Sequence, residues 1–179
     1  MEPILEPAPW LTGERVGLRA PLLDDVAHWE HWYIGEDVAD EASVRRALQK
    51  RETIPWGRNP VITLVIMELA SGEIIGGVMA TRSENRTCRL EVNVPEEPGD
   101  RCGTLREALA LVVPWLLDEV GLMTVVIETP ADDAAVIEAA IGAGMVEAVR
   151  RREHLPRPQG RVDLLQLERV NEGWGCHAG

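Results

Sequence analysis

Cysteine is scarce in this chain of 179 residues, which has only Cys88, Cys102 and Cys176, far apart from one another. An odd number of cysteines without paired spacing argues against a disulfide framework and against a zinc site. His28 and His31 lie three residues apart on a predicted helix, but no carboxylate or thiolate accompanies them at motif spacing. We therefore expect no metal site and interpret the two histidines as surface or interface residues.

Long apolar runs are also missing. No stretch approaches the roughly 20 apolar residues that a membrane-spanning helix needs. The first residues show no basic segment followed by an apolar one, which is the pattern of a signal peptide. We expect a cytoplasmic protein that does not bind membranes.

Positive charge is outnumbered, with 18 basic against 30 acidic residues and a formal net charge of −12. This balance weighs against nucleic acid and anionic membranes as partners. It suits a cationic partner, although acidity is also a common route to solubility. We expect no nucleic-acid partner.

The pattern that is present is that of one globular domain. A hydrophobic fraction of 45% and a charged fraction of 27% are typical of soluble proteins, and the length suffices for a substantial core. Periodicity predicts, in order, a strand, two helices, three strands, a helix, a strand, a helix and two strands. This order indicates an α/β (α+β) domain, with a mixed, mostly antiparallel sheet of about seven strands and helices on both faces. We place a lead-in segment at 1–12, the domain at 13–170 and a tail at 171–179.

The most informative stretch is 99–109, where a predicted strand passes through a glycine-containing turn into a long apolar helix. A helix N-terminus offers unpaired N–H groups and partial positive charge, so it suits a phosphate. Thr104 and Glu107, however, fit a capping box that would satisfy the same groups from within. Both interpretations stay open, and the helix is predicted to begin at Thr104, within two residues, and to run to about Val120.

Several segments, in this order, resemble a GNAT-type N-acetyltransferase. They are 11–19 followed by Asp24, Asp25 and Trp29, then Glu73-Ile74-Ile75-Gly76-Gly77, and then Glu107-Ala108-Leu109. The resemblance covers nearly the whole chain and is strongest to the branch that acetylates ribosomal-protein N-termini and small amines. It implies a single GNAT-like domain that uses acetyl-CoA as co-substrate and acetylates a primary amine of a small molecule or a peptide N-terminus.

The chain departs from the family where the acyl-CoA binds. The family's loop begins with Arg or Gln and ends with Gly or Ala, whereas this chain has Asp100 and Leu105 at those positions. A carboxylate a few ångströms from a diphosphate costs on the order of 1–4 kcal/mol. The family's helix tyrosine falls near Ala140, so its role passes to no residue here. Two alternatives follow: a catalytically degenerate binding or regulatory domain, or another acyl-CoA-dependent acyltransferase.

The resemblance implies a set of site residues. Glu91 and Glu128 are candidates for the general base, with Asn93 as an orienting residue, although each carboxylate is also consistent with a solvated strand position. The expected cofactor contacts are Val92, Val94, Arg101, Cys102, Gly103, Thr104, Leu105 and Arg106. The expected substrate wall consists of Trp29, Trp32, Glu36 and Asp37. Acidic and aromatic side chains together suit a cationic amine, or they form a solvated loop over core tryptophans.

Tryptophan is abundant for a chain without phenylalanine: there are six, and Trp10 and Trp174 lie in terminal segments that a monomer core does not require. Tryptophan is enriched at protein interfaces. We therefore predict a homodimer, or an apolar surface for another partner.

Overall fold

A computed structural model describes residues 8–35, 40–52, 60–83, 85–96 and 100–173 of the chain. Its helices and strands follow the predicted order. They are β1 (Leu11–Thr12), β2 (Val16–Arg19), a 3-10 helix (Asp24–His28), α1 (Trp29–Trp32), α2 (Glu41–Glu52), β3 (Val61–Glu68), β4 (Ile74–Arg82), β5 (Thr87–Asn93), α3 (Arg101–Asp118), β6 (Thr124–Pro130), α4 (Ala134–Gly142), β7 (Val146–Arg157) and β8 (Gly160–Val170).

The described strands form one sheet in the order β1-β2-β3-β4-β5-β6-β8-β7. All neighbours in it are antiparallel except β5 and β6, which run parallel. The predicted mixed, mostly antiparallel sheet is thus confirmed. It has eight strands rather than about seven, because Leu11 and Thr12 pair with Leu18 and Gly17 at its edge.

The helices cover both faces of the sheet, as predicted. On one face, α3 presents a fully buried stripe, and α4 packs beside it; the stripe includes Leu105, Leu109, Val112 and Leu116. On the other face, Trp32 of α1 and Val44 of α2 enclose a second, smaller core with Val65 of β3. Leu64 and Ile66, on either side of Val65, belong to the first core because side chains along a strand alternate between faces.

The parallel ladder between β5 and β6 is short. It joins Thr87 to Thr124, Cys88 to Val125 and Arg89 to Val126, and then it ends. Beyond that point β5 stays paired with β4 as far as Asn93, and β6 stays paired with β8 as far as Pro130. The two strands therefore diverge, and we call the opening between them the wedge.

Helix α3 begins earlier than predicted. Its N-cap is Asp100, whose Oδ1 accepts a hydrogen bond from the amide of Gly103 at 2.9 Å. The amide of Thr104 donates to the carbonyl of Asp100 at 2.9 Å, so Thr104 lies inside the first turn and is buried. The predicted helix start at Thr104 is wrong, because an aspartate four residues upstream is an equally good cap.

The capping box proposed for Thr104 and Glu107 does not form either. The Glu107 carboxylate leaves the helix terminus and accepts hydrogen bonds from the amides of Arg15 and Val16, at 2.8 and 3.3 Å. It thereby fastens α3 to the start of β2. A Cβ on Gly103 would overlap the Asp100 carboxylate, so a larger residue there would displace the side chain that forms this cap.

The first of the two helices predicted after β2 is not one regular helix but a 3-10 helix followed by the single turn of α1. The carboxylate of Asp25 forms a buried bidentate pair with Arg19, at 2.6 and 3.0 Å. The same carboxylate accepts the amide of Leu22 at 2.6 Å. A buried ion pair with these extra hydrogen bonds fixes the turn after β2, and the segment continues as a 3-10 helix and one turn of α1.

Candidate functional site

Two helix N-termini meet at the mouth of the wedge. Helix α3 follows β5, and helix α4 follows β6. Asp133 is the N-cap of α4 and accepts the amide of Val136 at 3.3 Å, as Asp100 does for α3. N–H groups and positive helix ends therefore collect at one end of the diverging strands.

Arg101 crosses this mouth. Its Nη1 and Nη2 donate to the two carboxylate oxygens of Asp133 at 3.0 and 2.9 Å. Its Nε donates to the carbonyl oxygen of Val94 at 3.1 Å. The side chains of Arg101 and Asp133 are each about one quarter exposed. One guanidinium thus ties the end of β5 to the start of α4.

The charges around the start of α3 oppose one another. The amide of Gly103 donates to the Asp100 carboxylate and lowers its pKa, and nearby Arg15 and Arg106 lower it further. Arg15 Nη1 lies 3.3 Å from Asp100 Oδ2. The pKa of Asp133 is lowered chiefly by the hydrogen bonds from Arg101. Both caps are therefore anionic at neutral pH, and arginines surround them.

The residues predicted to contact the cofactor lie together at the wedge, but not all offer a side chain. Leu105 and Thr104 are buried in the core under α3, so only their main chain is available. Cys102 and Arg106 are exposed, and Gly103 is partly exposed. Val92 and Val94 lie at the end of β5 and in the residue just past it, the former half-buried and the latter buried.

The two candidate bases are brought together across the wedge by a residue that the sequence analysis missed. Arg89 lies 3.5 Å from Glu91 (Nε to Oε1) and 3.0 Å from Glu128 (Nη2 to Oε2). Arg151 of β7 lies 3.6 Å from the other oxygen of Glu128. Arg89, Glu91 and Asn93 are every second residue of β5 and therefore share the face opposite α3. This spacing is the signal that could have pointed to Arg89.

Helix α1 closes one side of this polar face. Trp32 is fully buried, and its indole N–H donates to the carbonyl of Asp25 at 3.0 Å, so its place is in the core. Trp29 is half-buried and packs edge-on against Tyr33. Asn93 Nδ2 lies 3.5 Å from the carbonyl of Tyr33. The other two predicted wall residues, Glu36 and Asp37, lie outside the described residues.

A cavity of about 410 Å³ lies beside the start of α3. Its charged lining is mainly acidic: Glu14, Glu68, Glu73 and Asp100, against Arg15 and Arg101, with His31 from α1. The remainder includes apolar side chains at the ends of β4 and β5. The cavity therefore combines apolar walls with an excess of negative charge.

Within the described ranges, no three His, Cys, Asp or Glu side chains cluster so that they could hold a metal ion. No described helix combines the length and the apolar character required to cross a bilayer.

Comparison with solved structures gives consistent matches. A Sphaerobacter thermophilus protein assigned as an acetyltransferase is 30% identical, with 90% of this chain and 96% of that one covered and a TM-score of 0.65. A GNAT-family acetyltransferase from Bacillus anthracis is 14% identical over 90% and 98%, with a TM-score of 0.69. Mutant forms of the Vibrio cholerae spermidine/spermine N-acetyltransferase SpeG are 13% identical over 92% and 100%, with a TM-score of 0.72. No protein-family model and no curated protein matches the chain.

The lowered pKa of Asp133 predicts a pH dependence of stability. A carboxyl whose pKa is lower in the folded chain stabilises it above the ordinary aspartate pKa, and this contribution disappears as the pH falls through the folded value. We expect Asp133→Asn to cost about 1 kcal/mol at pH 7. Urea unfolding of both proteins from neutral pH to about pH 3, below the ordinary aspartate pKa, should show the difference shrinking. A difference that is the same at every pH would contradict this account.

Proposed function

Because the chain belongs to the GNAT family of acetyltransferases, we propose that it transfers an acetyl group from acetyl-CoA to a primary amine of a small molecule or of a peptide N-terminus. The observation that carries this proposal is the wedge: a parallel strand pair that separates after three residues, with the N-terminus of α3 at its mouth. This arrangement offers main-chain hydrogen bonds and a positive helix end to one ligand.

The wedge suits an extended arm that carries amides. Past Arg89, β5 keeps its ladder with β4 on one side, while its other side faces the opening toward β6. We propose that main-chain groups on that side bind the pantetheine arm as a neighbouring strand would. Val92 and Val94 are the proposed contacts, through main chain rather than side chain.

The start of α3 is the proposed place for the diphosphate. Cys102, in the first turn, is exposed, so an anion can approach the main chain there. The amide of Gly103 already donates to Asp100, and an anion would have to displace that carboxylate to reach it. Asp100 opposes an anion there, whereas Arg15, Arg101 and Arg106 favour it. We propose that the positive charges of these arginines offset the negative charge of Asp100.

A cationic amine is the acceptor class that the structure favours. The cavity beside α3 carries four carboxylates, and the whole chain has a formal net charge of −12. Such a surface attracts amines and raises their local concentration. SpeG, which shares the fold, is by name a spermidine/spermine N-acetyltransferase. We propose acceptors of this chemical kind, and we propose Trp29 of α1, which is not part of the lining of this cavity, as an aromatic contact for them.

The proposed reaction needs little from side chains. A neutral amine attacks the thioester carbonyl, a C–N bond forms, the C–S bond breaks, and a base takes the amine proton. We propose Glu91 or Glu128 as that base, directly or through a water molecule, with Asn93 orienting the acceptor. Holding the two reactants in line supplies much of the acceleration. No side chain is assigned to protonate the leaving thiolate, because Ala140 stands where the family has its tyrosine.

One observation favours a second candidate, a binding or regulatory domain without transfer activity. Asp100 already caps the first turn of α3, and Asp133 already pairs with Arg101. In this reading the chain satisfies its anion-binding groups from within. Failure to bind acetyl-CoA would favour this second candidate, and transfer of the acetyl group would exclude it.

Removing the charge of Asp100 should tighten acetyl-CoA binding. Asp100→Asn keeps a good N-cap and removes a carboxylate near the diphosphate, which at about 4 Å in water is worth about 1 kcal/mol, or roughly fivefold. Asp118→Asn is the matched control: it removes the same charge at the far end of α3, beyond the roughly 8–10 Å over which salt screens charges.

Calorimetric titration of acetyl-CoA measures this effect. We expect the parent to bind, Asp100→Asn to bind more tightly and Asp118→Asn to match the parent. If none of the three proteins binds acetyl-CoA, the enzyme proposal gives way to the binding-domain candidate.

Replacement of the true base should lower turnover without weakening acetyl-CoA binding. A positioned base contributes about 10²- to 10⁴-fold. We therefore expect either Glu91→Gln or Glu128→Gln to lower kcat by about 100-fold or more, with little change in the KM for acetyl-CoA. The acid limb of its pH–rate profile should also disappear. Turnover within twofold of the parent in both variants would exclude both carboxylates.

We further propose a homodimer in the cytoplasm. Val146 and Val149 of β7, the outermost strand on that side of the sheet, are exposed, and so are Ile141 of α4, Val170 at the end of β8 and Trp10. Exposed apolar side chains at a sheet edge support self-association. Light scattering at micromolar concentration should give the mass of two chains, and a uniform monomer would contradict the prediction.

A further inference from the structure

We propose that the Arg101–Asp133 pair is a latch that closes the wedge, and that Arg101 must leave Asp133 before acyl-CoA can bind; this rests on the proposed function. Asp133 is then a residue that controls acyl-CoA entry, and Arg101 exchanges one anionic partner for another. The comparisons assign no such role to either residue.

The geometry places the latch across the opening. Arg101 belongs to the helix that follows β5, and Asp133 caps the helix that follows β6. Two guanidinium hydrogen bonds, at 3.0 and 2.9 Å, therefore join the two sides of the wedge where its strands no longer pair. A ligand that enters between the strands meets this pair at the mouth.

The latch also occupies a main-chain group of the wedge. The third hydrogen bond of Arg101, from Nε, ends on the carbonyl oxygen of Val94 at 3.1 Å. That carbonyl is the proposed acceptor for the pantetheine arm. While the guanidinium lies against it, the arm competes for the same oxygen and the same space.

The Arg101–Asp133 ion pair can hold a defined geometry, yet its contribution to stability is small enough for it to open. It is bidentate, which favours a defined geometry. Both side chains are nevertheless about one quarter exposed, and exposed pairs contribute modestly to stability. When the competent state is only fractionally populated, the apparent dissociation constant rises by the inverse of that fraction.

The sequence offers variants that open the latch from either side. Asp133→Asn removes the charge partner but keeps the helix cap to Val136, because asparagine caps as well as aspartate. Arg101→Lys keeps the positive charge but cannot hold both carboxylate oxygens and the Val94 carbonyl in the fork geometry of arginine. Of these two variants, only Arg101→Lys leaves the net charge of the site unchanged.

Asp132 provides the matched control. It is the neighbouring residue, and it forms a bidentate pair of the same kind with Arg157, at 3.0 and 3.2 Å. That pair joins the loop before α4 to β7 and does not reach β5. Asp132→Asn removes the same charge close to the site but leaves the latch in place.

The test is calorimetric titration of acetyl-CoA into the parent, Asp133→Asn, Arg101→Lys, the double variant and Asp132→Asn, with circular dichroism to confirm folding. We expect both single variants to bind about fivefold more tightly than the parent. The double variant should gain little beyond either single one, because both remove one interaction. Asp132→Asn should bind as the parent does.

The results that would contradict the latch differ from those that would also contradict the proposed function. Tighter binding by Asp133→Asn with none by Arg101→Lys, or with the same gain in Asp132→Asn, would show that charge alone acts and would overturn the latch. Equal binding by all variants would overturn the latch while the proposed function stands. No binding by any variant, including those with the latch open, would overturn both.

Discussion

The separation of β5 from β6 is the constraint on which the rest of the molecule depends. Two parallel strands that stop pairing after three residues leave main-chain groups at the centre of a sheet without their ladder. Buried backbone groups require partners, so the opening must be held by other elements or filled by a ligand. The outer pairings of β5 with β4 and of β6 with β8 hold its two sides apart. The helices that follow these strands then bring their N-termini to its mouth.

Carboxylates and arginines lie together at the mouth of the wedge. A helix N-terminus has backbone N–H groups without a partner inside the helix. Here Asp100 and Asp133 each accept a hydrogen bond from such a group and cap their own helix. Arg101 and Arg15 neutralise the two caps. The caps are therefore satisfied by contacts within the chain. With Asp100 at the first position of the loop, the chain departs from the family loop that it resembles.

Sequence patterns predicted the regular parts of the fold well. Alternating strands, the apolar stripe of α3 and the order of elements follow from local periodicity, which the sequence displays directly. The start of α3 was predicted wrongly because the Thr104–Glu107 spacing satisfies the capping pattern, while Glu107 is claimed by backbone amides of β2 far away in the chain.

The contacts that define the site are tertiary, and no local pattern encodes them. Arg101 and Asp133 lie 32 residues apart, and only the placement of two helices brings them together. Arg89 meets Glu91 within its own strand, but its contact with Glu128 depends on the parallel pairing. The residues that the resemblance implied do lie near one another, since Glu91, Glu128, Val94 and Arg101 are all around the wedge. Their roles in that neighbourhood stay predictions.

Acetyl transfer itself tests the central claim most directly. The purified chain is incubated with acetyl-CoA and a panel of amines that includes polyamines, short peptides with free N-termini and neutral amines, and the products are identified by mass spectrometry. The account predicts amines that carry one added acetyl group, stoichiometric release of free CoA and a preference for cationic acceptors. Binding of acetyl-CoA without acetylation of any amine in the panel would contradict it.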